Sequence, residues 1–167
     1  IGVSNWTTQR IEEANKFAEE NGMEPIRISQ INYSLAHSSV ETFGDNTLVC
    51  MDTKEFRWYK KHDFPVMAFS PQAKGFFAKL AKGDAANNLP EGQYAGPANL
   101  ARLAKVKQLS EQTGDTPAKI TLGYLNSQPF FVSSVFAVTK LWQLDEDMEA
   151  QDLTYDPKTV AFLENMI

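Results

Sequence analysis

Four short apolar runs, at residues 1–4, 27–33, 65–71 and 134–138, divide the 167-residue chain, and each is followed by at least one stretch with helical spacing. No hairpin dipeptide joins any two of these runs directly. Strands that cannot turn back on one another must be joined by crossovers, so the runs predict a parallel sheet with helices packed against it. Four β/α units are too few to close an eight-stranded barrel but make half of one. The competing architecture, an open doubly wound sheet, carries a glycine-rich phosphate turn after its first strand, and Gly2-Val3-Ser4-Asn5 is not that motif. The expected fold is therefore α/β: four parallel β/α units forming one half-barrel domain over residues 1–167. The chain enters its first strand at once, with no methionine and no polar leader, which suggests a piece of a longer polypeptide.

Helix signals fill the intervals. Thr7 and Thr8 can cap a helix whose apolar positions include Ile11, Ala14 and Ala18, and Asn21-Gly22 stops it. A second helix runs from Asp52 and Thr53 to about Lys61, with Phe56 and Tyr59 as its buried positions. Between the second strand and this helix, residues 34–50 are polar, with a turn at Gly44-Asp45-Asn46. Residues 76–97 read as one long loop. Leu100, Leu103, Val106 and Leu109 mark a helix ending at Thr113-Gly114, and Pro117 opens another. A helix over 143–150, opened by Asp145-Glu146-Asp147, and an amphipathic tail over 157–167 complete the pattern.

Charge and cysteine content narrow the function classes. Sixteen basic and twenty-one acidic side chains leave a net charge of -5, which argues against a general electrostatic grip on nucleic acid or an anionic membrane. No apolar run approaches the ~18 residues of a membrane span. Cys50 is the only cysteine, so no intrachain disulfide or cysteine-based zinc site is expected, and a reducing, cytoplasmic setting fits. His37 and His62 have no spacing that would make them joint metal ligands, and the scattered lysines at 54, 60, 61, 74, 79 and 82 read as a solvated face.

In parallel sheets and barrels, ligands meet the C-terminal ends of the strands. Those ends carry Ser4, Asn5 and Trp6; Ser29, Gln30 and Tyr33; Phe69, Ser70, Pro71 and Gln72; then Thr139, Lys140 and Gln143. Amide and hydroxyl groups with one aromatic face suit a planar, amide-bearing ligand. The absence of a nearby base suits hydrolysis or proton abstraction poorly. The plain alternative is that these are ordinary polar residues at strand ends.

In order along the chain, these segments resemble the aldo-keto reductase family. Ile1-Gly2-Val3-Ser4-Asn5-Trp6 is similar to that family's fifth strand, and Ser29-Gln30-Ile31-Asn32-Tyr33 to its sixth. Val66-Met67-Ala68-Phe69-Ser70-Pro71 resembles its seventh, and Phe136 through Gln143-Leu144-Asp145-Glu146-Asp147 its eighth with the helix after it. The resemblance implies the C-terminal half of a (β/α)8 barrel that reduces aldehydes or ketones with NADPH. It implies that Ser4, Asn5 and Gln30 hold the nicotinamide carboxamide and that Phe69 stacks on the ring where the family has tyrosine. Ser70 and Gln72 would lie along the pyrophosphate. Val138, Thr139, Lys140 and Gln143 match the loop receiving the 2′-phosphate, and Glu146 and Asp147 the adenine contacts.

Two departures follow from the comparison with the family. The phosphate loop offers only Lys140 as a cation, so NADH is an alternative to NADPH. The family's catalytic Asp, Tyr, Lys and His belong to its first four strands and their loops, so the resemblance assigns no catalytic residue here and implies that the chain alone is inactive. A half barrel leaves two sheet edges open, which predicts self-association or packing against the missing N-terminal half or another domain. A non-catalytic interaction or regulatory module attached to another oxidoreductase is the alternative function.

Overall fold

The computed structural model describes residues 1–83 and 94–164. Its frame is a four-stranded parallel sheet in the order β1 (Gly2–Ser4), β2 (Ile28–Asn32), β3 (Val66–Phe69), β4 (Val132–Val135). Sequential strands are sheet neighbours, and every connection carries helix: α1 (Thr8–Glu20), then α2 (Val40–Phe43) and α3 (Thr53–His62), then α4 (Phe76–Ala81), α5 (Pro97–Thr113) and α6 (Pro117–Asn126). Helices α7 (Leu141–Met148) and α8 (Pro157–Glu164) follow the last strand. The chain is thus an α/β fold of four consecutive parallel β/α units, consistent with part of a (β/α)8 barrel.

The two faces of the sheet differ. Residues in register share a face and successive residues alternate between faces. Ser29, Ile31, Val66 and Ala68 are fully buried, and the three apolar ones join helix residues such as Tyr59, Phe76 and Ile120 in the core. Their neighbours Gln30, Met67, Phe69 and Ser133 turn the other way and remain partly exposed. The helices therefore cover one face and leave the other accessible.

Local chemistry explains where the helices start and stop. Thr7 caps α1 by accepting from the Arg10 amide (3.3 Å), and Asp52 caps α3 by accepting from the Glu55 amide (2.8 Å). Thr116 and Pro117 open α6 together, and Gly114 ends α5 in the left-handed region (φ 81°), where a Cβ is costly.

Three expectations need correction. The segment read as a loop from residue 76 begins with α4, which buries Phe76, Phe77 and Leu80; residues 84–93 of that segment lie outside the described residues. The fourth strand is Val132–Val135 rather than 134–138, because the apolar residues after Val135 leave the sheet and line a cleft. Helix α7 starts at Leu141, so Asp145-Glu146-Asp147 sits in its second half and does not complement its N-terminal dipole. Within the predicted 34–50 segment, Ser39 and Thr42 form a reciprocal cap on α2.

Glu55 is a buried charge that periodicity does not reveal. Only 4% exposed, it accepts from the Thr8 amide (3.0 Å) and Thr8 hydroxyl (3.3 Å), tying the start of α1 to α3. Burial is the main cause that pushes its carboxyl up, against the pull of the Thr8 donors. A raised folded pKa makes the contribution stabilising below the ordinary glutamate range, and it is lost as pH rises through the folded value. We expect Glu55→Ala to cost about 1–3 kcal/mol at neutral pH, the penalty of orphaned buried donors. It should also remove this acid-side gain, so the stability difference between variant and parent, followed by urea unfolding across pH, should widen as pH falls. A difference that stays constant across pH would contradict the assignment.

Candidate functional site

The strand ends place the sequence-predicted residues in rows. Ser4, Gln30, Met67 and Ser133 share one level of the sheet through the registers β1–β2, β2–β3 and β3–β4. One level further, Asn32, Phe69 and Val135 are aligned. Asn5 turns the chain out of β1 with φ at 55°, its amide donating to the Gln30 carbonyl (2.8 Å). Its Oδ1 accepts from the Val49 amide (3.1 Å), which fixes the side chain. Ser4 is exposed and Asn5, Gln30 and Phe69 are half-buried, as accessible ligand groups must be. Asn32 is the buried support behind them: it accepts from Ser38 Oγ (2.6 Å) and donates to the Phe69 carbonyl (3.4 Å).

The segment between β3 and α4 is strained. Ser70, Ala73 and Lys74 all adopt positive φ (52°, 49° and 54°), and Gly75 follows at 81°. Non-glycine residues in this region each cost of order 1 kcal/mol or more, and such strain concentrates at ligand-binding turns. Hydrogen bonds from the Ala73 amide to the Ser70 carbonyl and from the Gly75 amide to the Gln72 carbonyl (both 2.9 Å) hold the turn.

This turn forms one wall of a cleft of about 760 Å3, and the residues after β4 with α7 form another. Of the predicted residues, Ser70, Gln72, Val138, Thr139, Gln143, Glu146 and Asp147 line this cleft. Ser4, Gln30 and Phe69 stand on the strand rows outside it, as does Asn5 just past β1, and Lys140 is not in its lining. Gln72 Nε2 donates to Asp147 Oδ1 (2.6 Å), joining the two walls. Burial pushes the Asp147 carboxyl up, Gln72 pulls the other way, and Glu146 adds to the rise. Gln143 spends its oxygen locally: Oε1 accepts from the Thr139 amide (3.1 Å), the Lys140 amide (3.0 Å) and the Thr139 hydroxyl (3.2 Å), capping α7.

Sequence reasoning missed the cations of this cleft. Lys74, Lys79 and Lys82 line it, and the Lys82 ammonium lies 5.1 Å from the Trp142 ring centroid. Their spacing around α4 was visible, but only the fold brings that helix to face residues more than fifty positions later. Among the described residues, no group of three His, Cys, Asp or Glu could hold a metal ion, and no helix is long and apolar enough to cross a membrane.

The family model described as Aldo/keto reductase family matches residues 1–167. The chain belongs to the aldo/keto reductase family. Members of this family are oxidoreductases and generally bind nicotinamide cofactors. The L-glyceraldehyde 3-phosphate reductase of Escherichia coli (strain K12) is 22% identical over 183 residues, covering 100% of this chain and 49% of that protein. The chain thus spans about half the length of this curated relative.

Proposed function

We propose that this chain supplies the NAD(P)H-binding part of an aldehyde or ketone reductase. The observation that carries the reading is the left-handed turn of Ser70, Ala73, Lys74 and Gly75 opening into a cleft lined by lysines. The Ala73 and Gly75 amides are spent inside the turn, so the ammonium groups it carries and faces supply the charge-assisted donors, a donor set that fits phosphates. Glu146 and Asp147 offer carboxylate acceptors at the α7 wall, with Gln72 bonded to Asp147 from the opposite wall, chemistry that suits the exocyclic amine of a purine. At the other end, Ser4 and Gln30 lie side by side with Asn5 next to them, a set that can both donate to and accept from a carboxamide. Phe69 offers a ring face one level above Gln30 and Met67.

When bound, a reduced nicotinamide supplies a hydride to a carbonyl carbon. In this reading the chain's own residues orient rather than transfer protons. Asn5, held by Val49, presents its Nδ2 in a fixed direction, and Asn32 keeps the backbone at Phe69 from shifting. The proton donor for the carbonyl oxygen comes from residues outside this sequence. The relative's greater length supports that division, as does the lack of a base at the strand ends.

Discrimination between NADPH and NADH rests on one extra phosphate. Gln143 can offer that phosphate only its neutral Nε2 amide, so the charge-assisted contacts come from lysines, as point charges without a guanidinium fork. A fluorescence titration of the chain should give saturable binding of both nicotinamides, with NADPH favoured by less than about a hundredfold, the worth of one charged contact. Adding a simple aldehyde should not accelerate NADPH oxidation above the blank. Failure of either nucleotide to saturate at millimolar concentration would refute the binding reading, and steady turnover would refute the division of labour.

A further inference from the structure

A second groove, of about 710 Å3, opens on the helical layer between α1 and α3, away from the cleft. Met23, Pro25, Trp58 and Phe64 give it apolar walls, the Trp58 and Phe64 rings lying 5.2 Å apart. At its rim the Trp58 indole N–H donates to Glu12 Oε1 (2.6 Å), and the His62 ring lies 4.4 Å from the indole.

The proton on His62 is fixed by its partner. Nδ1 is 2.9 Å from the Trp58 carbonyl, and a carbonyl only accepts, so Nδ1 carries the hydrogen. In the neutral ring Nε2 is then a bare acceptor. It stands 3.9 Å from Glu12 Oε1, another acceptor, beside the half-buried aromatic wall of Trp58 and Phe64. The two acceptors face each other across a solvent-open gap of a width that one donor group can bridge. Two protein ligands are too few for a closed metal site. Lys16, which also lines the groove, leans toward Glu20 (3.9 Å). A cation with its own N–H groups, carried on an apolar body, matches both the gap and the walls. Its charge also gains from the face of Trp58.

We propose that this groove binds a primary organic ammonium, its N–H groups bridging Glu12 and His62 Nε2 and its apolar body lying against Trp58 and Phe64. The site is independent of the dinucleotide cleft, so the two readings can fail separately. The test is a titration with phenethylammonium followed through the indole N–H resonances of the three tryptophans. The Trp58 signal should move and saturate while those of Trp6 and Trp142 stay in place. Glu12→Gln keeps an acceptor for the indole and removes the charge, and it should weaken binding about tenfold or more. The uncharged analogue 2-phenylethanol should bind the unaltered protein about tenfold or more less tightly for the same reason. Equal binding of the alcohol and the ammonium would overturn the proposal. So would an undiminished affinity in Glu12→Gln, or a Trp58 signal unmoved at millimolar ammonium.

Discussion

Replacing Phe76 with alanine should cost about 3–5 kcal/mol of folding stability, the range for emptying a fully buried aromatic site. The ring is 0% exposed and packs against Phe77 (5.2 Å between centroids) and Tyr94 (6.0 Å). Tyr94 in turn meets Phe43 edge-on at 5.8 Å, so the cavity would open between the Phe77 and Tyr94 rings and strip Tyr94 of one of its ring neighbours. Helix α4 has only six residues and no side-chain N-cap, too little to hold itself together in water. Its order comes from burying Phe76, Phe77 and Leu80 against α5 and α6. A domain of this size has a total stability of about 5–15 kcal/mol, so the substitution would remove a large share of it. Urea unfolding should show a lower midpoint at unchanged slope. A loss under about 1 kcal/mol, the ordinary surface effect, would mean that α4 is not anchored by this ring.

The same helix marks where the sequence was legible and where it was not. β2 and β3 were readable because alternating apolar residues end at a polar stretch or a proline, and both observed strands lie inside the predicted runs. Helix α4 was hidden because its apolar residues, Phe76, Phe77 and Leu80, sit between Gly75 and Gly83 at the head of a long polar stretch that dominates any averaging window. Their i, i+1, i+4 spacing was the available signal. The fourth strand slid by two residues because the apolar run continues past the sheet; Val135, Phe136, Ala137 and Val138 line the cleft, and hydropathy does not distinguish a cleft wall from a strand. Gln143, three residues after Lys140, was a capping signal for α7, and attention to it would have moved the helix start and placed Asp147 in a buried second half. Glu55 follows the same logic, since a carboxylate three residues after Asp52 reads as a wet first turn until α1 is laid across it.

Reversing two charges in the cleft should have the largest functional effect. Lys74 lies in the strained turn and Lys82 just after α4, and both side chains line the cleft with Ser70 and Gln72. A charge-assisted hydrogen bond contributes roughly 1.5–3 kcal/mol when it is made, and a carboxylate in its place adds repulsion toward phosphate. The double substitution Lys74→Glu/Lys82→Glu should therefore weaken NADPH binding at least about a hundredfold. NADH should lose comparably if these lysines serve the shared pyrophosphate, and less if either serves the 2′-phosphate. Binding by the parent should also weaken steeply with added salt, a dependence that the double variant loses. Lys107 on α5 is exposed and outside the cleft, so Lys107→Glu makes the charge change of one of the two cleft substitutions, half that of the pair, without touching the site. If Lys107→Glu weakened binding as much as the cleft pair, the effect would be one of overall charge. An unchanged affinity in the double variant would leave the lysine-lined cleft without a role in holding phosphate. Neither lysine is buried, so unfolding midpoints should stay near those of the parent, and a loss of binding could then be read as a loss of contacts.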